Sequence, residues 1–153
     1  MQPAQGIRFI HIAICREVQA IEAQAATAES PTELAVLAER LAWFGQINKL
    51  HTDGEEMSLY ADLEQKLPHV RGAYLHDHQE DHALFGNFAA RIRAAADATG
   101  GARTQALATM RRQSIALTEH VLPHVHKEDT LVTPLMIELF TPSEQGGVVS
   151  EPS

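Results

Sequence analysis

The chain has 153 residues, of which 44% are hydrophobic and 21% charged, and its formal net charge is −8 at pH 7. This length corresponds to one domain with a proper core, and the composition is that of a globular protein. The negative charge argues against nucleic acid or an anionic membrane as the main partner. The sequence shows no apolar run long enough to span a membrane and no secretory signal, so we expect a cytoplasmic protein. The one cysteine excludes an internal disulfide.

Helix-forming residues dominate the chain, and turn signals divide it at ESPTE (29–33), KLPHV (66–70) and ATGGAR (98–103). In the first stretch, Ser30 is placed as an N-cap, Pro31 in the first helical turn, and Glu33 where it closes a capping box. Gly100 and Gly101 predict a helix stop followed by a turn. The pattern therefore predicts four long helices.

Each of the four segments carries a stripe of apolar positions at alternating spacings of three and four, which is typical of helices packed in a bundle. We predict an all-α, up-down-up-down four-helix bundle with a short extra C-terminal helix. The predicted domain covers residues 1–140, and residues 141–153 are expected to form a flexible tail. Trp43 and Phe88 are predicted to lie in the core.

Every stripe is interrupted by histidine or glutamate near one end. In an up-down bundle these ends share one pole, so the interrupting side chains meet in one buried layer. They are His11, His51, Glu55, His78, His82, His124 and Glu128. The stripes carry no Lys or Arg at this level, and burying such polar groups unpaired costs several kcal/mol each, so a cation is expected there. In HTDGE, HQEDH and HVHKE the two end residues are one helical turn apart and can reach one site.

The ligand set indicates which metal is expected. Five imidazoles and two carboxylates exceed the four ligands of a tetrahedral zinc ion and suit two six-coordinate ions. With both glutamates and one oxygen atom bridging, three histidines complete one ion, and two leave an open position on the other. Imidazole and carboxylate ligands with an open position favour iron over calcium or magnesium.

One His, then HxxxE, HxxxH and HxxxE, one set on each helix, resembles the hemerythrin family with its HHE cation-binding domain. The resemblance covers about residues 7–140 and is strongest to short, single-domain bacterial members. It implies a non-haem di-iron centre with an oxo or hydroxo bridge. The terminal ligands would be His11, His51, His78, His82 and His124, and the bridging ligands Glu55 and Glu128.

The identity of the last carboxylate is a choice between two neighbours. Respiratory hemerythrins carry it five residues after the histidine, which is Asp129 in this chain. An α-helical phase places Glu128 about 40° from His124 and Asp129 about 140° away, so we choose Glu128.

Two further side chains are candidates for a role beside the ligands. Tyr74 lies one turn before His78 and could donate a hydrogen bond or an electron to bound peroxide, although core packing also explains it. His120 lies one turn from His124 and could hydrogen-bond a ligand. Tyr60 is nearly opposite His51 on an uninterrupted helix, so a role at the site is not expected unless the helix breaks.

Phase excludes two other histidines. His76 lies about 200° from His78 around the helix, and His126 is related to His124 in the same way, so both are expected to point outward.

The resemblance implies three classes of function. The first is an oxidoreductase of oxidative-stress defence that consumes hydrogen peroxide, as a catalase does, or nitric oxide. The second is a carrier, store or sensor that binds dioxygen reversibly, and the third is iron storage. We expect the first, with dioxygen binding as the alternative, in a monomer or weak oligomer whose partners are these small molecules.

Overall fold

The computed structural model describes residues 6–145, in which every regular element is a helix and no strand occurs. The long helices are α1 (Ile7–Thr27), α2 (Pro31–Gly54), α4 (Val70–Asp97) and α5 (Gly100–Lys127). The short helices are α3 (Tyr60–Lys66) and α6 (Thr133–Leu139). A π-helical turn, Glu55–Leu59, joins α2 to α3, and a second one, Glu128–Val132, joins α5 to α6.

The long helices form a ring in which α1 packs on α2 and α5, and α4 packs on the same two helices. The first π turn and α3 extend the chain beyond α2, and short turns at 28–30, 67–69 and 98–99 connect the successive helical stretches. The long helices therefore alternate in direction, and the predicted four-helix bundle is confirmed. The predicted short C-terminal helix is α6. Within residues 6–145, no helix is both long enough and apolar enough to cross a membrane.

The start of α2 has the predicted capping box. Ser30 Oγ accepts a hydrogen bond from the Glu33 backbone N–H at 3.2 Å, and the Glu33 carboxylate accepts one from the Ser30 N–H at 2.8 Å. The prediction for Gly100 as a helix stop is wrong, because α4 already ends at Asp97 and Gly100 begins α5. Gly100 has φ +56°, a value that glycine adopts without steric cost, so it makes the turn between the two helices.

Two apolar clusters fill the bundle. The larger one occupies the body and is built from all four long helices, with Leu37, Phe88 and Leu117 fully buried. The smaller one joins α3, α6, the start of α4 and both π turns, and contains Leu59, Tyr60, Leu63, Tyr74, Val132, Met136 and Phe140. Buried histidines and glutamates lie where these two clusters meet.

Trp43 was predicted to be a core residue, but its side chain is 69% exposed. The inward face of α2 runs through Leu34, Leu37, Leu41, Phe44 and Asn48. Trp43 therefore lies beside this face, on the outside of the helix.

Part of the predicted tail is described. Gln145 is buried, and its side-chain amide donates to the Phe140 carbonyl at 2.9 Å. Residues 146–153 lie outside the described residues.

Candidate metal centre

The ends of the long helices bring a set of imidazoles and carboxylates to the junction of the two clusters. α1 contributes a histidine near its start, α2 and α5 each contribute one in their last turn, and α4 contributes one in its third turn. Each π turn contributes its first residue, a glutamate. The set is His11, His51, Glu55, His78, His124 and Glu128.

The imidazoles fall into two pairs with the same geometry. The rings of His11 and His51 meet edge to face with centroids 5.1 Å apart, and those of His78 and His124 do so at 5.0 Å. The two pairs correspond to the two groups of side chains whose ligand atoms lie within 4.8 Å of one another. Four of the five predicted imidazoles therefore lie in these two pairs.

The Glu55 carboxylate faces both pairs. Its Oε1 lies 3.5 Å from His11 Nε2 and 3.3 Å from His51 Nε2. Its Oε2 lies 3.5 Å from Nε2 of His78. The two oxygens of this one side chain thus point toward different imidazole pairs.

The Glu128 carboxylate has the complementary arrangement. Its Oε2 lies 3.4 Å from His11 Nε2, while Oε1 lies 3.3 Å from His124 Nε2 and 3.6 Å from His78 Nε2. Asp129 does not take this place, because its carboxylate lies against Nδ1 of His11. α5 remains helical through Pro123 to Lys127, and the phase of its last turn is retained.

Several of these atoms are buried without a hydrogen bond. They are His11 Nε2, His78 Nε2, Glu128 Oε2 and both carboxylate oxygens of Glu55. An unsatisfied buried polar atom costs about 1–3 kcal/mol, and native proteins contain few of them. Nitrogen and oxygen ligands about 2.1 Å from one ion, at right angles to each other, are about 3 Å apart. The observed separations are slightly larger, so the residues fit a bound cation after a small contraction.

The outer nitrogens of three imidazoles contact carboxylates. His11 Nδ1 lies 2.8 Å from Asp129 Oδ1, and His78 Nδ1 lies 3.0 Å from Glu56 Oε1. A carboxylate only accepts, so each Nδ1 carries the proton and each Nε2 keeps its lone pair for the site.

The third contact joins His124 to Asp77. His124 Nδ1 lies 3.2 Å from Asp77 Oδ2, and this same oxygen accepts a hydrogen bond from Lys127. The Asp77 carboxylate thus orients the imidazole of His124 while Lys127 offsets part of its charge.

Burial and neighbouring charges together set the protonation of the metal-free centre. Burial and the neighbouring Glu128 carboxylate raise the pKa of Glu55 to about 7. Burial lowers the pKa of His124, but its contacts with Glu128 outweigh this and raise the value to about 9. Burial and the nearby His11 lower the pKa of His51 to about 4. Without metal the centre therefore holds protons that a cation would displace.

Tyr60 is a site residue that the sequence-based phase did not place here. It is fully buried, and its hydroxyl donates to Glu128 Oε1. Burial and the Glu128 charge raise its pKa far above the usual range, so the phenol stays protonated. The π turn over Glu55–Leu59 breaks the α-helical phase and turns Tyr60 inward. HTDGEEMSLY and HVHKEDTLVT have the same spacing of His, Glu and a second acid, but neither stretch carries a sequence signal for the wider turn.

The structure places the two other candidates one contact away from the ligands. The Tyr74 ring stacks on Tyr60 with centroids 4.8 Å apart, and Lys127 Nζ lies over the same ring, 4.5 Å from its centroid. His120 lies 3.2 Å from the Asp77 backbone carbonyl and 3.4 Å from the Asp81 carboxylate, and its ring stacks on His124 at 6.4 Å.

His82 is the predicted ligand that the structure does not bring to this cluster. The inward face of α4 runs through Tyr74, His78, Asp81 and Phe85, all of which are buried. Asp81 therefore takes the inward position after His78, and His82 lies on the half-buried flank of the helix. As predicted, His76 and His126 are exposed.

Comparison with known proteins gives a family and one curated relative. The family profile described as "Hemerythrin HHE cation binding domain" matches residues 2–136. The chain is also similar to a protein named "Zinc finger protein BRUTUS" from Arabidopsis thaliana, with 28% identity over 144 residues. This match covers 92% of the chain and 11% of the relative, so the chain spans about a tenth of that protein's length.

Proposed function

Because the chain belongs to the hemerythrin HHE cation-binding domain family, we propose that the centre holds two iron ions and reacts with small oxidants. Hydrogen peroxide is the proposed main substrate, in a catalase-like reaction, with nitric oxide as a further one. The observation that carries the proposal is the pair of glutamates, each with one oxygen toward His11 and the other toward His78. Two carboxylates that face two imidazole pairs suit two metal ions better than one.

The ligand types favour iron. Imidazole nitrogen and carboxylate oxygen are ligands of non-haem iron, whereas calcium and magnesium prefer oxygen alone. A structural zinc site is closed by four ligands, which this set exceeds. An iron pair bound here would supply redox chemistry and a coordination position for a small oxidant.

The chain's own residues prepare the centre for such a reaction. Apolar clusters on both sides exclude bulk water, which strengthens electrostatic interactions inside. The Tyr60 hydroxyl stays protonated and donates to Glu128 Oε1, so it places a fixed hydrogen-bond donor beside the centre. His51 has a side chain that is 11% exposed, so the centre is closest to solvent on its side.

The test combines metal analysis with a peroxide assay on the purified chain. We expect about two irons per chain and the release of dioxygen from hydrogen peroxide over many turnovers. A single zinc ion, or no bound metal, contradicts the metal assignment. Two irons that are only bleached by peroxide would retain the assignment and exclude the catalase-like reaction.

Reversible dioxygen binding is the second candidate, and the apolar clusters on both sides of the centre favour it. After reduction, the iron-loaded protein would change colour on exposure to oxygen and return to its first spectrum when oxygen is removed. Irreversible oxidation in the first cycle contradicts a carrier function.

A further inference from the structure

Glu56 and Asp129 are the acidic residues that directly follow Glu55 and Glu128. Each of them contacts a histidine from the other half of the chain. One half comprises α1 to α3 and the other α4 to α6. Asp129, from the second half, contacts His11 Nδ1 at 2.8 Å, and Glu56, from the first half, contacts His78 Nδ1 at 3.0 Å. The two contacts are thus exchanged between the halves.

The two halves share more than these contacts. Each has a histidine four residues before a glutamate, a second acid directly after it, and a π turn that begins at the glutamate. A short helix follows in each, and Leu59, Leu63 and Leu67 in the first half correspond in spacing to Val132, Met136 and Phe140 in the second. The centre therefore has approximate internal two-fold symmetry.

We propose that Asp129 and Glu56 are equivalent positioning residues, each orienting a metal-binding imidazole of the opposite half. Each carboxylate fixes the Nδ1–H tautomer and the ring angle, so that Nε2 faces the centre. His11 is then held by the second half and His78 by the first half. Assembly of both halves is therefore required for tight metal binding. The inference rests on the proposed occupation of the centre by metal but not on the reaction.

Exposure supports this interpretation. The side chains of Asp129 and Glu56 are 21% and 23% exposed, while those of His11 and His78 are 1% and 0% exposed. The carboxylates thus lie on the outer side of the imidazoles, away from the inward Nε2 atoms. Within residues 6–145, no carboxylate contacts Nδ1 of His51, so this imidazole is held differently.

The test uses Co²⁺ as a spectroscopic probe of the metal-free protein. Asp129→Asn and Glu56→Gln keep the shape of each side chain and remove its charge. We expect each substitution to weaken Co²⁺ binding about 10- to 100-fold and to change the visible absorption band, by similar amounts in the two variants. Asp129→Glu and Glu56→Asp should restore part of the affinity.

Controls separate orientation from charge and from folding. Asp97→Asn and Glu119→Gln remove exposed carboxylates from α4 and α5 and should leave affinity and spectrum unchanged. Asp81→Asn removes a buried carboxylate that contacts His120 and, among the contacts within residues 6–145, no Nδ1 of a proposed ligand, so its absorption band should stay as in the wild type. Circular dichroism of each metal-free variant reports its folding.

Wild-type affinity and spectrum in Asp129→Asn or Glu56→Gln, in a folded variant, would overturn the inference. The inference would also be overturned if Asp81→Asn lost as much Co²⁺ affinity as these variants and no variant changed the absorption band. Loss of negative charge alone would then explain the weaker binding. Loss of folding in either isosteric variant also overturns it, since a positioning role predicts a folded metal-free protein. If the wild type itself binds no metal, the proposed function fails instead.

Discussion

The hydroxyl of Tyr60 donates to a carboxylate that faces both imidazole pairs. At the scale of single residues, we expect Tyr60→Phe to keep about two irons per chain. Oxygen release from peroxide should fall about 100-fold, which is the lower end of the effect of removing one fixed hydrogen-bond donor from a catalytic site. Stopped-flow measurement of peroxide consumption tests this. Tyr74→Phe is the matched control, because it keeps the ring that contacts Tyr60 and Lys127, and equal rates in both variants would contradict a catalytic role for the Tyr60 hydroxyl.

A second residue-scale prediction concerns the two histidines of HQEDH. His78 is fully buried with Nε2 among the carboxylates, whereas His82 is half-buried outside the cluster. We therefore expect His82→Ala to retain iron and His78→Ala to lose at least one iron per chain. Metal analysis after dialysis measures both, and a matching loss in His82→Ala would show that metal binding draws His82 inward.

At the scale of elements, the capping box at Ser30 stabilises the start of α2 far from the metal centre. Ser30→Ala should lower the free energy of unfolding by about 1 kcal/mol, because the Glu33 N–H loses its acceptor. The corresponding decrease in Tm is roughly 2–4 °C for a chain of this size. Thr32→Ala, at an exposed position of the same turn, is the control, and a change in iron content would be unexpected in either variant.

The elements also show where prediction from sequence ended. Apolar spacing placed His11, His51, His78 and His124 on inward faces, because an α-helix has a fixed period. The two π turns have no comparable signal in the sequence. A π turn is one wider helical turn, and tertiary packing rather than the helix propensity of its residues decides where it forms. For this reason an α-helical period places Tyr60 nearly opposite His51, and its inward position depends on the break that the π turn makes, while residues before Glu55 follow the α-helical period.

At the scale of the whole molecule, the buried carboxylates of Glu55 and Glu128 repel each other when no metal is bound. Removing metal with a chelator should therefore destabilise the bundle. A metal present at about 1,000 times its Kd adds about 4 kcal/mol to the free energy of unfolding, so we expect a decrease in Tm of roughly 8–16 °C. Calorimetry with and without chelator tests this.

A core variant provides the comparison for that experiment. Phe88 is fully buried in the larger cluster. Phe88→Ala should cost about 3–5 kcal/mol with or without metal. An unchanged Tm on metal removal in the wild type would mean that the centre contributes nothing to stability.

The sequence by itself determined the helical bundle, the polar layer near one pole and the residue types of that layer, because helix period and the cost of burying charge are local and general. It also determined the capping box, which depends on residues one turn apart. Only the tertiary structure decided that Asp81 and not His82 faces inward, that the imidazoles pair two and two, and that Asp129 and Glu56 contact histidines across the halves. These three features depend on the rotation of each helix about its own axis within the bundle. A rotation by part of a turn replaces one inward-facing residue by an adjacent one.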